Sequence, residues 1–166
     1  MILILKPGKP LEEPSSYHPI SLLPIISKVF EKAVCKRLMK VIIEKNVIPA
    51  IQFGFRAKHS TIEQVHRAVN TITQALEKKQ FAPAVFLDVS CAFDRVWHEG
   101  LIIKLRAYLP SSLCNLLISY LKHHTFRVQW GCGSSQDTAI AAGVPQGSVL
   151  GPILFLLFTS DFPVTE

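Results

Sequence analysis

Apolar and polar positions along this chain follow three different rhythms, and each change of rhythm marks an element. Residues 2–5 are an unbroken apolar run of strand length, and Lys6-Pro-Gly-Lys-Pro10 ends it as a basic turn. Residues 17–24 are expected to stay extended, because Pro19 and Pro24 each push the residue before them towards β or polyproline geometry. From 25 to about 45 the positions Ile26, Phe30, Ala33, Val34, Val41 and Ile42 recur at helical spacing. Pro49 and Gly54 interrupt the pattern, and a second helix, capped by Ser60 or Thr61 with Glu63 close behind, is expected to run to about 79. Residues 83–89 are continuously apolar up to Asp88 and read as a buried strand. A helix over 98–108 follows, then one capped by Ser111 and running to 122. Residues 125–130 and 137–142 alternate as a hairpin around Gly131-Cys-Gly-Ser-Ser135, and an apolar helix runs from about 148 to 159. The pattern predicts an α+β fold, with helices packed on one side of a small, mainly antiparallel sheet.

Composition agrees with a folded chain. Apolar residues make up 49% and charged residues 18% of 166 positions, which excludes an intrinsically disordered chain and leaves room for one domain with a real core. The net charge of +6 is unevenly placed: residues 1–80 carry 13 Lys/Arg against 6 Asp/Glu, a net +7, and residues 81–166 carry 5 against 6. A basic half beside a near-neutral one suits a polyanion-binding face. Lys28, Lys32, Lys36 and Lys40 sit four apart on the first helix, either as a solvated face or as a face that tracks phosphates. Cys35, Cys91, Cys114 and Cys132 lie far apart without Cys-x-x-Cys spacing, as reduced thiols do in an intracellular protein. The opening residues lack the charged n-region of a signal peptide, so a secreted protein is not expected. The most apolar run, 149–158, is too short to span a bilayer, so no membrane partner is expected.

Two segments carry the chemistry. In Phe86-Leu-Asp-Val-Ser-Cys-Ala-Phe-Asp94, a carboxylate ends an apolar run. Buried and unpaired it would cost several kcal/mol, so Asp88 must face solvent, find a partner or hold a cation. Asp94 is placed to cap the following helix. In Gly143-Val-Pro-Gln-Gly-Ser-Val-Leu-Gly-Pro-Ile-Leu-Phe155, Gly147 has no Cβ and lets the backbone approach another surface closely, and Pro145 fixes φ just before a helix. Gln146 is the residue that a tight turn alone does not explain.

In this order, the two segments resemble the first and second palm motifs of the reverse transcriptases of non-LTR (LINE-type, jockey-like) retrotransposons. Leu5-Lys-Pro-Gly-Lys-Pro10, Ser16-Tyr-His-Pro-Ile-Ser-Leu-Leu23 and Gln52-Phe-Gly-Phe-Arg-Ala-Lys-His-Ser-Thr61 resemble the fingers motifs of the same family. The resemblance implies the fingers (about 1–80) and part of the palm (about 81–166) of a right-hand polymerase. The implied activity is RNA-directed DNA synthesis, with RNA template, DNA primer and dNTP as partners and Mg²⁺ as cofactor. It makes Asp88 the catalytic carboxylate and, with the carbonyl of Val89, a metal ligand. It makes Phe93 the gate under the nucleotide sugar, with Lys6, Arg56, Gln146 and Gly147 at the nucleotide, and it sets Pro145, Gln146 and Gly147 against template and primer. Two positions depart from the family. His18 stands where an Arg is usual, which gives up a charge-assisted phosphate contact, and Cys91 stands where Lys or another polar residue is usual. The family's Ala-Asp-Asp box, which supplies the second pair of metal ligands, would follow Glu166, so the isolated chain is expected to be inactive. The alternative is a non-catalytic RNA-binding or nucleic-acid-binding remnant that keeps the basic fingers.

Overall fold

The computed structural model describes residues 1–122 and 124–162. The element order is β1 (Ile2–Leu5), a 3-10 turn (Pro14–Ser16), β2 (Tyr17–Ile20), α1 (Ile25–Glu44), α2 (Thr61–Glu77), α3 (His98–Tyr108), α4 (Ser111–Leu121), β3 (Thr125–Phe126), β4 (Gln129–Trp130), β5 (Gly133–Ser134), β6 (Thr138–Ala139) and α5 (Gly151–Phe158). The fold is α+β, as expected. The chain forms two compact units, Met1–Ile48 with Cys91–Phe162, and Pro49–Ser90.

The first unit is built on helices. Val34, Leu38 and Ile42 form one stripe of α1, Leu101 and Leu105 one of α3, and Cys114, Leu117 and Leu121 one of α4. The helix α5 buries Gly151, Ile153, Leu154, Leu156 and Leu157. These side chains, with Val96, Val144 and Leu150 from the connections, make one continuous apolar cluster, and each fully buried leucine contributes about 1.5–3 kcal/mol. Among the described residues no strand contributes to that cluster, so the helices pack on one another and not on one side of the sheet. The physical reason is strand length: segments of two to four residues offer too little apolar face to seat a helix.

The larger sheet has the order β2-β1-β4-β5. β1 pairs antiparallel with β2 from Ile2↔Ile20 to Leu5↔Tyr17 and parallel with β4 at Ile2↔Gln129. β3 pairs antiparallel with β6 in a separate two-stranded sheet, and β4 turns back on β5 through Gly131-Cys132. The single hairpin expected from alternation is therefore split. Residues 127–128 take β4 away from the line of β3, and the Gln129 amide donates to the Met1 carbonyl at 3.2 Å. Ser111 is the first residue of α4 and not its cap; Pro110 holds the cap position, with no side-chain bond.

In the second unit Ser60 caps α2 with a reciprocal pair of bonds: its Oγ accepts from the Glu63 amide at 3.2 Å, and the Glu63 carboxylate accepts from the Ser60 amide at 2.7 Å. The Arg67 guanidinium lies 4.9 Å from the Phe53 ring centre. The strand expected over 83–89 is absent: residues 80–89 have no regular structure, and Phe81 and Phe86 are 99% and 94% exposed. A strand needs a neighbour's amides and carbonyls, and among the described residues none pairs with this segment. Asp88 is accordingly an exposed carboxylate, and no desolvation cost attaches to it.

Candidate functional site

The turn that carries Gln146 is stitched to the segment after Asp88 by hydrogen bonds that run in both directions. The Gly143 amide donates to the Val96 carbonyl at 2.8 Å and the Val144 amide to the Phe93 carbonyl at 2.9 Å. The His98 ring Nε2 lies 2.6 Å from the Gly143 carbonyl, which only accepts, so this nitrogen carries the proton. The Gln146 Nε2 donates to the Asp94 Oδ1 at 3.0 Å, and the Gln146 carbonyl accepts from the Ser21 amide at 2.9 Å. Gly143 and Gly147 are both required by this packing. Gly143 has φ +93°, and a Cβ there would stand 2.9 Å from the Asp94 carbonyl oxygen. Gly147 has φ +98°, and a Cβ would stand 3.1 Å from the Ser21 carbonyl oxygen.

The start of α5 is set by a residue far upstream. Glu31 is 2% exposed, and its carboxylate accepts from the Val149 amide at 2.6 Å, the Leu150 amide at 3.2 Å and the Tyr120 hydroxyl at 3.3 Å. Ser148 Oγ accepts from the Gly151 amide at 2.8 Å. Ser148 thus satisfies the first amide of α5, which begins at Gly151, and Glu31 satisfies the two amides just before it. Sequence reasoning missed Glu31, although a signal was present: it shares the spacing of Val34, Leu38 and Ile42, and so stands on the buried stripe of α1.

Burial, with the Glu31 carboxylate alongside, pushes the Tyr120 phenol up to about 12. Because the folded value lies above the ordinary one of about 10, the stability it contributes is complete below pH 10 and is lost as pH rises through 12. A titration of phenolate absorbance should show a late step at about 12, and Tyr120→Phe should remove it. A titration that Tyr120→Phe leaves unchanged above about pH 11 would contradict the buried Glu31–Tyr120 contact.

The remaining site residues fall as follows. Phe93 is half-buried and stacks on Phe155 with ring centres 5.0 Å apart. The Lys6 ammonium donates to the Ser15 carbonyl at 2.8 Å, within the β1–β2 hairpin. A cavity of about 350 Å³ opens beside the turn, with Asp94, His98, Tyr120, Phe126, Pro145 and Gln146 among its lining. Thus Phe93, Pro145, Gln146 and Gly147 are gathered in the first unit, where the Ser21 backbone joins β2 to them. Arg56, Asp88 and Val89 belong to the second unit. There the Arg56 guanidinium donates to the Pro49 carbonyl at 3.0 Å, while Asp88 has no hydrogen-bond or ion-pair partner among the described residues. Asp94 does not cap α3, whose cap position is Trp97; its carboxylate faces Gln146 instead. An exposed carboxylate and the next backbone carbonyl are hard oxygen donors of the kind that divalent cations take, and they fill only part of a coordination shell. Among the described residues no group of three His, Cys, Asp or Glu is close enough to hold a metal ion by itself.

Comparison with known proteins agrees with the motifs. Residues 4–164 match the family described as "Reverse transcriptase (RNA-dependent DNA polymerase)". The chain is 49% identical over 97% of its length to the "Probable RNA-directed DNA polymerase from transposon X-element" of Drosophila melanogaster. It is 48% identical over 98% of its length to the "RNA-directed DNA polymerase from mobile element jockey" of Drosophila funebris. More distantly, it is 30% identical over 92% of its length to the "Retrovirus-related Pol polyprotein from type-1 retrotransposable element R2" of Popillia japonica, of which it spans 21%. It spans 18% of each of the two Drosophila relatives. The motifs around Asp88 and Gln146 and the match over 4–164 together place this chain in the reverse transcriptase (RNA-dependent DNA polymerase) family.

Proposed function

We propose that this chain is the fingers (about 1–80) and part of the palm (about 81–166) of a right-hand polymerase that copies RNA into DNA for a jockey-like retrotransposon. The observation that carries the reading is the stitched turn, which ties the segment holding Phe93 and Asp94 to the one holding Gln146 and Gly147, members of two motifs separated by some fifty positions, beside a cavity that Asp94 and Gln146 line. In the proposed reaction the 3′-hydroxyl of a DNA primer attacks the α-phosphate of a dNTP opposite an RNA template, and pyrophosphate leaves. Mg²⁺, when bound, neutralises the phosphate charge and eases deprotonation of the hydroxyl. Asp88 and the Val89 carbonyl are the ligands this chain would offer it. Phe93 lies under the sugar and excludes a 2′-hydroxyl, while Gln146 hydrogen-bonds the nucleotide or template. Pro145 and Gly147 shape the backbone that template and primer lie against, and Lys6 and Arg56 face the triphosphate. The reaction belongs inside the cell, and no described helix is long and apolar enough to cross a membrane.

A second reading, binding without catalysis, is favoured by α1, where Lys28, Lys32, Lys36 and Lys40 are all exposed while Val34, Leu38 and Ile42 are buried. One experiment separates the two. The matched segment of the Drosophila funebris jockey polymerase is replaced by these 166 residues, and primer extension on RNA is measured with Mg²⁺. In parallel, RNA binding by the chain itself is followed against salt. Extension supports the polymerase. An inactive chimera together with RNA binding that weakens steeply with salt supports the binding module. An inactive chimera and a chain that ignores RNA at low salt would overturn both.

A further inference from the structure

We infer that Asp94 is a positioning residue that sets which end of the Gln146 carboxamide faces the ligand; the inference rests on the polymerase reading and deepens it. An ionised carboxylate only accepts hydrogen bonds, so only the amide nitrogen of Gln146 can face it, and the orientation is fixed by chemistry. The Gln146 Nε2 donates to the Asp94 Oδ1 at 3.0 Å. With the nitrogen held, Gln146 presents Oε1, a pure acceptor, and selects a donor on the nucleotide or template. The hold is preorganised at both ends. On one side the Gln146 backbone carbonyl is fixed by the Ser21 amide. On the other, the Asp94 backbone lies against Gly143, close enough that a Cβ there would meet the Asp94 Cα at 3.0 Å. Asp94 and Gln146 both line the cavity beside the turn. Asp94 itself is exposed and takes no part in the apolar core. Its carboxylate therefore serves the glutamine and not the fold.

The test replaces the acceptor by a group that can be either donor or acceptor. In the jockey chimera, Asp94→Asn should raise KM for dNTP, or Kd for primer–template, by about five- to tenfold, the worth of one oriented hydrogen bond, with kcat within about twofold. In a Gln146→Ala background the same change should cost less than about twofold, because its only route of action is gone. Equal losses in both backgrounds, or no loss with Gln146 present, would overturn the proposal. So would an active chimera indifferent to Gln146→Ala, and in that case the polymerase reading stands. A second arm needs no activity. In the ¹⁵N spectrum of the 166-residue chain, the two side-chain NH₂ protons of Gln146 should be well separated, one being bound to the carboxylate, and should draw together in Asp94→Asn. A chimera that extends no primer would count against the polymerase reading, and the spectrum then decides alone whether Asp94 holds Gln146.

Discussion

Asp88→Asn in the jockey chimera is expected to slow nucleotide addition on the order of 10³-fold, the scale of removing one preorganised charge-stabilising group. The isolated chain should meanwhile keep its stability within about 0.5 kcal/mol. The two halves of this expectation come from the same observation. Asp88 is exposed, without a partner among the described residues, in a stretch with no regular structure, so nothing in the fold depends on its charge. A residue retained for structure would behave in the opposite way. Single-turnover primer extension measures the first quantity and chemical denaturation of the 166 residues the second. A rate within tenfold of the parent would remove Asp88 from the reaction. A large loss of stability would show that the carboxylate has a structural partner.

Glu31→Ala is the second large effect, and it falls on stability. The side chain is buried and its carboxylate serves two backbone amides and one hydroxyl. Removal leaves the buried Leu150 amide and the part-buried Val149 amide without this acceptor, at about 1–3 kcal/mol for each unsatisfied donor, and leaves a cavity besides. The expected cost is about 3–5 kcal/mol, a large part of the 5–15 kcal/mol typical of a domain. Glu31→Gln keeps an acceptor oxygen and should cost about 1–2 kcal/mol, as a charged hydrogen bond becomes a neutral one. Hydrogen exchange should locate the damage, with the Val149 and Leu150 amides losing protection before those of α3. If Glu31→Ala unfolds within about 1 kcal/mol of the parent, the carboxylate is not the anchor of the turn. Because the same amides lead directly from Gln146 and Gly147 into α5, Glu31 also carries the geometry of the candidate site at a distance of 118 residues along the chain.

Much was legible from the chain alone because it depends on near neighbours. The 3–4 spacing of Val34 and its companions, the Ser60–Glu63 box and the prolines at 19 and 24 act within a few residues, and α1, α2 and β2 came out where those signals put them. The family was legible for a different reason: Asp88, Gln146 and Gly147 stand in contiguous motifs whose residue types reflect chemistry and close backbone approach, whatever the surrounding fold. Residues 83–89 show the limit. Their apolar composition suits a strand, but pairing requires another segment's amides and carbonyls, and composition does not provide them. The hairpin over 125–142 held in part: β3 pairs with β6 and β4 turns back on β5 as alternation suggests, but β4 also pairs with β1, more than a hundred residues away, which splits it between two sheets.

The sequence by itself thus determined the helices, the class and the family, because each follows from local periodicity or from a short motif. Tertiary structure alone decided the partners. It took Glu31, on the buried stripe of α1, and set it against the Val149 and Leu150 amides that lead into α5. It took Asp94, which reads as a helix cap, and turned it towards Gln146. Hydrogen bonds to buried carboxylates and between distant side chains are specified by where helices pack, and no local spacing carries that information.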